Sequence, residues 1–154
     1  MSQDFLAPGL YDFDALQPGD RIVTKNVTVT AQSIASFAAL TGDSFEVHLS
    51  DAGAARHGFP LQVAHGLFVL SLIEGLKSTA PARIDAFAAL GWNWSFRAPV
   101  FAGDTIRAEI EVASKRASAD PTRGLLVLDL SAFNQGSVLV QRGQCRVMAY
   151  RRRG

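Results

Sequence analysis

The stretch that most limits how this chain can fold is AHGLFVLSLIEGLKS, residues 64–78. Leu67, Phe68, Val69, Leu70, Leu72, Ile73 and Leu76 cover nearly every face of a helix. A helix apolar on all sides has to be enclosed on all sides, so the rest of the chain must wrap it. Lys77 in its last turn and Pro81 beyond it mark its end. The wrapping layer follows directly. In GWNWSFRA, residues 91–98, Trp92, Trp94 and Phe96 alternate with Asn93, Ser95 and Arg97. In DTIRAEIEV, residues 104–112, Ile106, Ala108, Ile110 and Val112 alternate with polar neighbours. A period of two belongs to a sheet with one covered face. The turn signals DPTRG (120–124) and NQG (134–136) bound two further strands, GLLVLDLSAF and SVLVQRGQCRVMAY.

Upstream, Ile22–Val29 is rich in Val and Thr and reads as a strand. Thr30 can cap the helix that follows, in which Ile34, Phe37, Ala38 and Thr41 recur at helical spacing until Gly42 stops it. Asp51–His57 allows one or two helical turns, and HGFPLQ (57–62) is irregular. The order is strand, helix, loop, buried helix, then four antiparallel strands. It predicts an α+β fold in which a curved antiparallel sheet wraps one central helix. With 154 residues and no repeat, linker or low-complexity tract, the expectation is one domain over residues 1–154 with its core at about 13–150.

A net charge of +1 gives no electrostatic case for nucleic acid as the main partner. Arg146 and Arg151–Arg153 read as a solvated basic end. The single cysteine, Cys145, cannot form an intrachain disulfide, which points to a reducing compartment. The first residues, MSQDFLAPGLYDFD, lack the basic and apolar regions of a signal peptide. The apolar run around Leu67–Ile73 is far shorter than the ~18 residues of a membrane span. The expectation is a soluble, cytoplasmic protein with no membrane or nucleic-acid partner.

The chemistry concentrates in TGDSFEVHLSD, residues 41–51, where Asp43 and His48 stand on a loop just past a helix stop. His48, His57 and His65 lack a familiar metal-ligand spacing, and no glycine-rich stretch matches a phosphate loop. Ser71 lies inside the expected buried helix, not on an exposed nucleophile elbow. Asp43 and His48 on their own fit a turn residue and a loop histidine as well as they fit catalysis. The start of the helix at His65 and Gly66 adds free backbone N–H groups with partial positive charge. A glycine there lets a carbonyl oxygen approach the backbone closely. Acid, imidazole and helix N-terminus together are the parts for water chemistry beside a polarised carbonyl.

Three blocks, in order, resemble the MaoC-like dehydratases, the group that includes (R)-specific enoyl-CoA hydratases. TGDSFEVHLSDAGA is similar to the family's G-D-x-N-P-[LIV]-H segment with its short alanine-bearing helix. VAHGLFVLSLIEGL is similar to the A-H-G opening of the family's central helix, and SFRAPVFAGDTIRAEIEV to its F-x-x-P-V-x-x-G-D strand pair. The resemblance spans about Phe13–Arg146 and implies a hot-dog fold. It further implies that Asp43 and His48 hold one water, with Asp43 as general base and His48 orienting the water and sharing proton transfer. The Gly66 N–H would bind the thioester oxygen. The reaction implied is reversible hydration of a trans-2-enoyl-CoA to an (R)-3-hydroxyacyl-CoA, with the acyl-CoA as partner and no cofactor or metal. His65 matches as a structural residue at the helix start and, with Phe45, is a candidate substrate contact. A homodimer or higher oligomer is implied, since hot-dog domains commonly pair along sheet edges.

The sequence departs from the family at Phe45-Glu46, where the motif usually has Asn-Pro, shaping the loop that aims acid and histidine. Two other readings stand beside hydration. A hot-dog thioesterase would need an acid on or beside the central helix, where Glu74 is the only carboxylate and sits two turns below Gly66. A noncatalytic acyl-thioester binder fits Phe45-Glu46 better than it fits the Asp43/His48 pair. Trp92 and Trp94 suit core or interface packing better than an acyl pocket. Straight, branched and dicarboxylic acyl groups, on coenzyme A or a carrier protein, all fit.

Overall fold

The computed structural model describes residues 4–152. In chain order the elements are strands β1 (Gly9–Tyr11), β2 (Arg21–Val23) and β3 (Val27–Thr28), and helix α1 (Ala31–Thr41). A 3₁₀ turn (Glu46–His48), helices α2 (Asp51–Ala55) and α3 (Gly66–Ser78), and the short strand β4 (Ala82–Ile84) follow. Long strands β5 (Ala86–Phe96), β6 (Thr105–Ala117), β7 (Arg123–Phe133) and β8 (Leu139–Tyr150) complete the chain. The main sheet runs β2-β6-β7-β8-β5, with β3 also pairing β6. All of these pairings are antiparallel.

The alternation read from the sequence sets which face of the sheet is covered. Ile106, Ala108, Ile110 and Val112 of β6 are buried with Leu126, Leu128 and Leu130 of β7. They share one hydrophobic cluster with Phe68, Val69 and Ile73 of α3. The helix is not enclosed all round, however. Phe68, Val69, Ile73 and Leu76 are buried, whereas Leu67 is 63% exposed, and Ser71 and Gly75 also face outward. The sheet of one chain curves past only one side of α3, so the apolar circumference exceeds what a single copy covers. Ser71, expected inside, is exposed and spends its hydroxyl on the Leu67 carbonyl at 2.8 Å.

The single strand expected over Ile22–Val29 is two pieces. The break falls at Thr24, which is buried and whose backbone N–H donates to Ala108 O at 3.0 Å. Its hydroxyl takes the Ala108 N–H at 2.9 Å and donates to Lys25 O at 2.8 Å, so a side chain replaces one rung of the ladder. Also absent from the sequence reading is the parallel pair β1/β4, which registers Gly9–Tyr11 with Ala82–Ile84. Both strands are three residues long, too short for a periodicity to show. The basic end is only partly solvated. Arg146 is exposed, but Arg151 donates to Asp14 at 2.8 Å and lies over the Phe13 ring, and Arg153 lies outside the described residues. Among the described residues no helix is long and apolar enough to cross a membrane.

Candidate active site

The helix that leads into the loop carrying Asp43 and His48 is closed at both ends. Thr30 caps α1 in a reciprocal capping box with Ser33. At the other end Gly42 takes a left-handed φ of 80° and returns its N–H to Ala38 O at 2.9 Å, the closure that favours glycine. The Asp43 N–H donates to Thr41 Oγ1 at 3.2 Å, and that hydroxyl donates to Phe37 O at 2.8 Å. Asp43 therefore leaves the helix at a set angle, with its side chain exposed. The 3₁₀ turn follows, closed by the His48 N–H on Phe45 O at 2.9 Å. Buried Gln62 holds the turn from below, donating through Nε2 to His48 O at 2.7 Å and through its backbone N–H to Asp51 Oδ1 at 2.8 Å.

The His48 ring has its tautomer set by geometry. Nδ1 lies 2.7 Å from Val63 O, and a carbonyl only accepts, so Nδ1 carries the hydrogen. When the ring is neutral its lone pair therefore sits on Nε2. Beneath it, His65 is 2% exposed and is stacked on His48 with centroids 3.8 Å apart and 21° between planes. His65 Nε2 donates to the Asp43 backbone carbonyl at 2.9 Å, and Phe37 meets the His65 ring edge-on at 4.9 Å. His65 thus ties the helix start to the backbone of the acid and buttresses the second imidazole. Its Nδ1 is buried without a hydrogen-bond partner among the described residues.

Side-chain atoms of Asp43, His48 and His65 approach within 4.8 Å of one another, which the spacing in sequence did not foretell. Each imidazole commits one nitrogen to a backbone carbonyl, His48 Nδ1 to Val63 O and His65 Nε2 to Asp43 O, which leaves one nitrogen on each ring as an acceptor when neutral.

Gly66 opens α3 after His65, whose side chain makes no cap. Among the described residues nothing accepts the Gly66 backbone N–H, as expected in a first helical turn. A Cβ on residue 66 would fall 2.4 Å from the Phe96 ring, so glycine permits this packing. Phe96, expected on the covered sheet face, is 57% exposed and lies over Gly66 instead. Gln141 is buried and donates through Nε2 to Gly66 O at 3.0 Å while accepting the Trp94 Nε1–H at 2.8 Å. His48, Gly66, Gln141, Phe45, Phe59 and Phe96 line one cavity of about 470 Å³, with Val47, Val63, Val69 and Val100 in its apolar wall. Asp43 stands outside the lining, beside His48. Trp92 lies apart, in a shallow groove on the open side of α3 with Leu67 and Leu70. A cavity of about 390 Å³ at the other end of α3, with Glu74, Lys77 and Arg83, is lined by none of Asp43, Phe45, His48, His65 and Gly66.

The model of the MaoC-like domain matches residues 14–128. The chain belongs to the MaoC-like dehydratase family. It is 35% identical over 118 residues to the (R)-specific enoyl-CoA hydratase of Aeromonas caviae, covering 76% of this chain and 84% of that one. It is 35% identical over 116 residues to Protein MaoC of Klebsiella aerogenes, covering 75% of this chain but only 34% of that longer protein. Among solved structures, a MaoC-like dehydratase from Rhodospirillum rubrum superposes with a TM-score of 0.85 at 25% identity, covering 92% of this chain and 98% of that one. A protein from Mycobacterium tuberculosis described as a double hot-dog fold superposes with a TM-score of 0.81 at 25% identity. The match covers 93% of this chain and 45% of that one. The α+β architecture with its sheet curved past α3 is the hot-dog fold.

Gln62, Gln141 and the Val63 carbonyl escaped the sequence reading. Each acts through a bond to backbone or ring far along the chain, and a lone glutamine in a strand carries no spacing signal. The resemblance placed His65 correctly at the helix start. Its contact with Asp43 comes only from the fold.

Proposed function

We propose that this protein adds water reversibly to a trans-2-enoyl thioester of coenzyme A or a related carrier, giving the (R)-3-hydroxyacyl thioester. The observation that carries the reading is the fixed His48 tautomer. Nδ1–H is committed to Val63 O, so the lone pair of the neutral ring is left on Nε2; a ring nitrogen of His48 lies within 4.8 Å of the Asp43 carboxylate, and His48 and Gly66 line the same cavity. A water held between Asp43 and His48 Nε2 gives its oxygen to C3 of the enoyl group while a proton is delivered to C2. The Gly66 N–H and the positive end of α3 meet the enolate-like oxygen that develops on the thioester carbonyl. Acid, base and oxyanion donor all come from the chain, so the reaction as written requires no cofactor.

The thioesterase reading has less support. Glu74, the one carboxylate on α3, is 3.0 Å from Lys77 Nζ and faces away from the cavity that His48 and Gly66 share. We further propose a homodimer joined along β5. That strand pairs only with β8 among the described residues and bears exposed Phe87, Leu90 and Phe96. An apolar open edge favours a second copy over solvent. A monomer by light scattering at micromolar concentration would contradict this assembly. The catalytic assignment is tested with Asp43→Asn and His48→Ala. Each should lower enoyl-CoA hydration by about 10²–10⁴-fold, the scale of acid–base assistance, with thermal unfolding still cooperative. Near-normal turnover by either variant would remove that residue from the mechanism.

A further inference from the structure

Phe45 and Glu46 stand where the resembled motif has asparagine and proline, and the structure gives that pair a shared task. The Glu46 carboxylate is a fork. Oε1 accepts from His57 Nε2 at 2.7 Å and Oε2 accepts from Arg56 Nε at 3.1 Å, both groups lying just past the end of α2. His57 then presents its ring to Phe45, with centroids 4.8 Å apart and 58° between planes. Phe45 also stands edge-on to His48, 6.3 Å between centroids, and lines the cavity that holds His48 and Gly66. Half of the Phe45 surface (52%) is open to solvent, so the ring is not enclosed by the core, and its ring contacts are to His57 and, more distantly, His48. Close seating of α2 on the 3₁₀ turn completes the brace. A Cβ on Gly53 would fall 2.2 Å from Glu46 O.

We propose that Phe45 is a specificity-determining residue, admitting unbranched acyl groups and excluding those branched at the reacting carbon C3 or at C4 next to it, and that Glu46 is the positioning residue that holds it there. This rests on the hydratase reading for where the substrate lies. His48 must stand within one water of C3, so the ring beside His48 occupies the space into which a substituent on C3 or C4 would project. A flexible residue at position 45 would yield to such a branch, whereas a ring braced through His57 and Glu46 does not. The Glu46 carboxyl is held below the usual carboxylate range, first by the His57 hydrogen bond and then by Arg56, so the fork keeps its charge near neutrality.

The test uses saturated thioesters, which bind without reacting. Dissociation constants of butanoyl-CoA and 3-methylbutanoyl-CoA are measured by calorimetry for the full chain and for Phe45→Ala, Phe45→Leu and Glu46→Ala. The unchanged chain should prefer butanoyl-CoA by about 10-fold or more, the discrimination that one carbon commands in an apolar pocket. Phe45→Ala should bring the ratio to within about twofold by removing that contact, and Phe45→Leu should give an intermediate ratio. Glu46→Ala, which keeps the ring but frees it, should also fall between the extremes, and Glu46→Gln, keeping one acceptor, should restore part of the preference. An unchanged preference in Phe45→Ala or Phe45→Leu, or equal affinities in the unchanged chain, would overturn the role of Phe45. An unchanged ratio in Glu46→Ala would overturn the role of Glu46. Crotonyl-CoA hydration by the unchanged chain is followed separately. Its absence beside a shifted binding ratio would refute the hydratase reading and leave the selectivity assignment standing.

Discussion

Replacing Gln141 by Leu removes a side chain that hydrogen-bonds the sheet to the first turn of α3. Two hydrogen bonds disappear, Gln141 Nε2 to Gly66 O at 3.0 Å and Trp94 Nε1 to Gln141 Oε1 at 2.8 Å. Each contributes about 1 kcal/mol net, and the stranded Trp94 N–H adds roughly another 1 kcal/mol because the indole is only partly buried. Leucine is close in volume and recovers some apolar contact, so the expected loss is about 2 kcal/mol. For a chain of this size that lowers Tm by roughly 4–8 °C. Urea titration at fixed protein concentration should show a lower midpoint with an unchanged slope. Trp94→Phe removes the same bond from the other side, so the double variant should cost about 1 kcal/mol less than the sum of the singles. Enoyl-CoA hydration should fall by about tenfold, since a slightly misplaced oxyanion donor is costly in rate. Additive stabilities, or a Gln141→Leu protein as stable and active as the original, would refute the link between Gln141 and Gly66.

Gly53→Ala should destabilise the protein by about 1–3 kcal/mol, because overpacking against a backbone oxygen outweighs the ~1 kcal/mol helix preference of alanine. Hydration should fall with it, since the 3₁₀ turn bearing His48 must move; an unchanged urea midpoint would contradict this packing. Acid sensitivity follows from Asp14, whose carboxyl is held below its ordinary value by its hydrogen bonds from the Arg151 side chain and then the Arg152 backbone. Its contribution to stability is complete above the unfolded value and is lost as pH falls through the lower folded one. Asp14→Asn should therefore flatten the acid limb of the stability–pH curve measured by thermal melts between pH 5 and pH 2; an identical acid limb would contradict the pairing.

Elements with local causes were legible before any coordinates. The Thr30 cap and the Gly42 stop follow from the chemistry of two residues. Of the four long strands, two follow from alternation over residues 92–97 and 105–112, and two from the turn signals DPTRG and NQG that bound them. The blocks around Asp43, His48 and Gly66 marked the site because they sit in order along the chain. What escaped depends on contacts distant in sequence. Thr24 interrupts a strand by bonding to Ala108, β1 finds β4 some 70 residues away, and His65 reaches back to the Asp43 carbonyl. The overestimate of burial on α3 has a different cause. Leu67 is as apolar as Phe68, and a helical pattern records hydrophobicity without recording which neighbour covers it. Phe96 followed the alternation and still left the core, because Gly66 gives its ring a place to lie outside the sheet.

The fate of the thioester tests the proposed chemistry most directly. In a hydratase the water between Asp43 and His48 faces C3 of the enoyl group, and the carbon–sulfur bond is never attacked. In a thioesterase the same water would face the carbonyl carbon, and one arrangement of base and oxyanion donor cannot serve both trajectories well. A trans-2-enoyl-CoA is incubated with the protein while the conjugated enoyl absorbance and free thiol are followed together, and the product is resolved on a chiral phase. The predicted result is loss of absorbance with formation of the (R)-3-hydroxyacyl-CoA and no thiol released. Thiol release matching substrate loss, and abolished by Asp43→Asn, would contradict hydration and establish hydrolysis in its place.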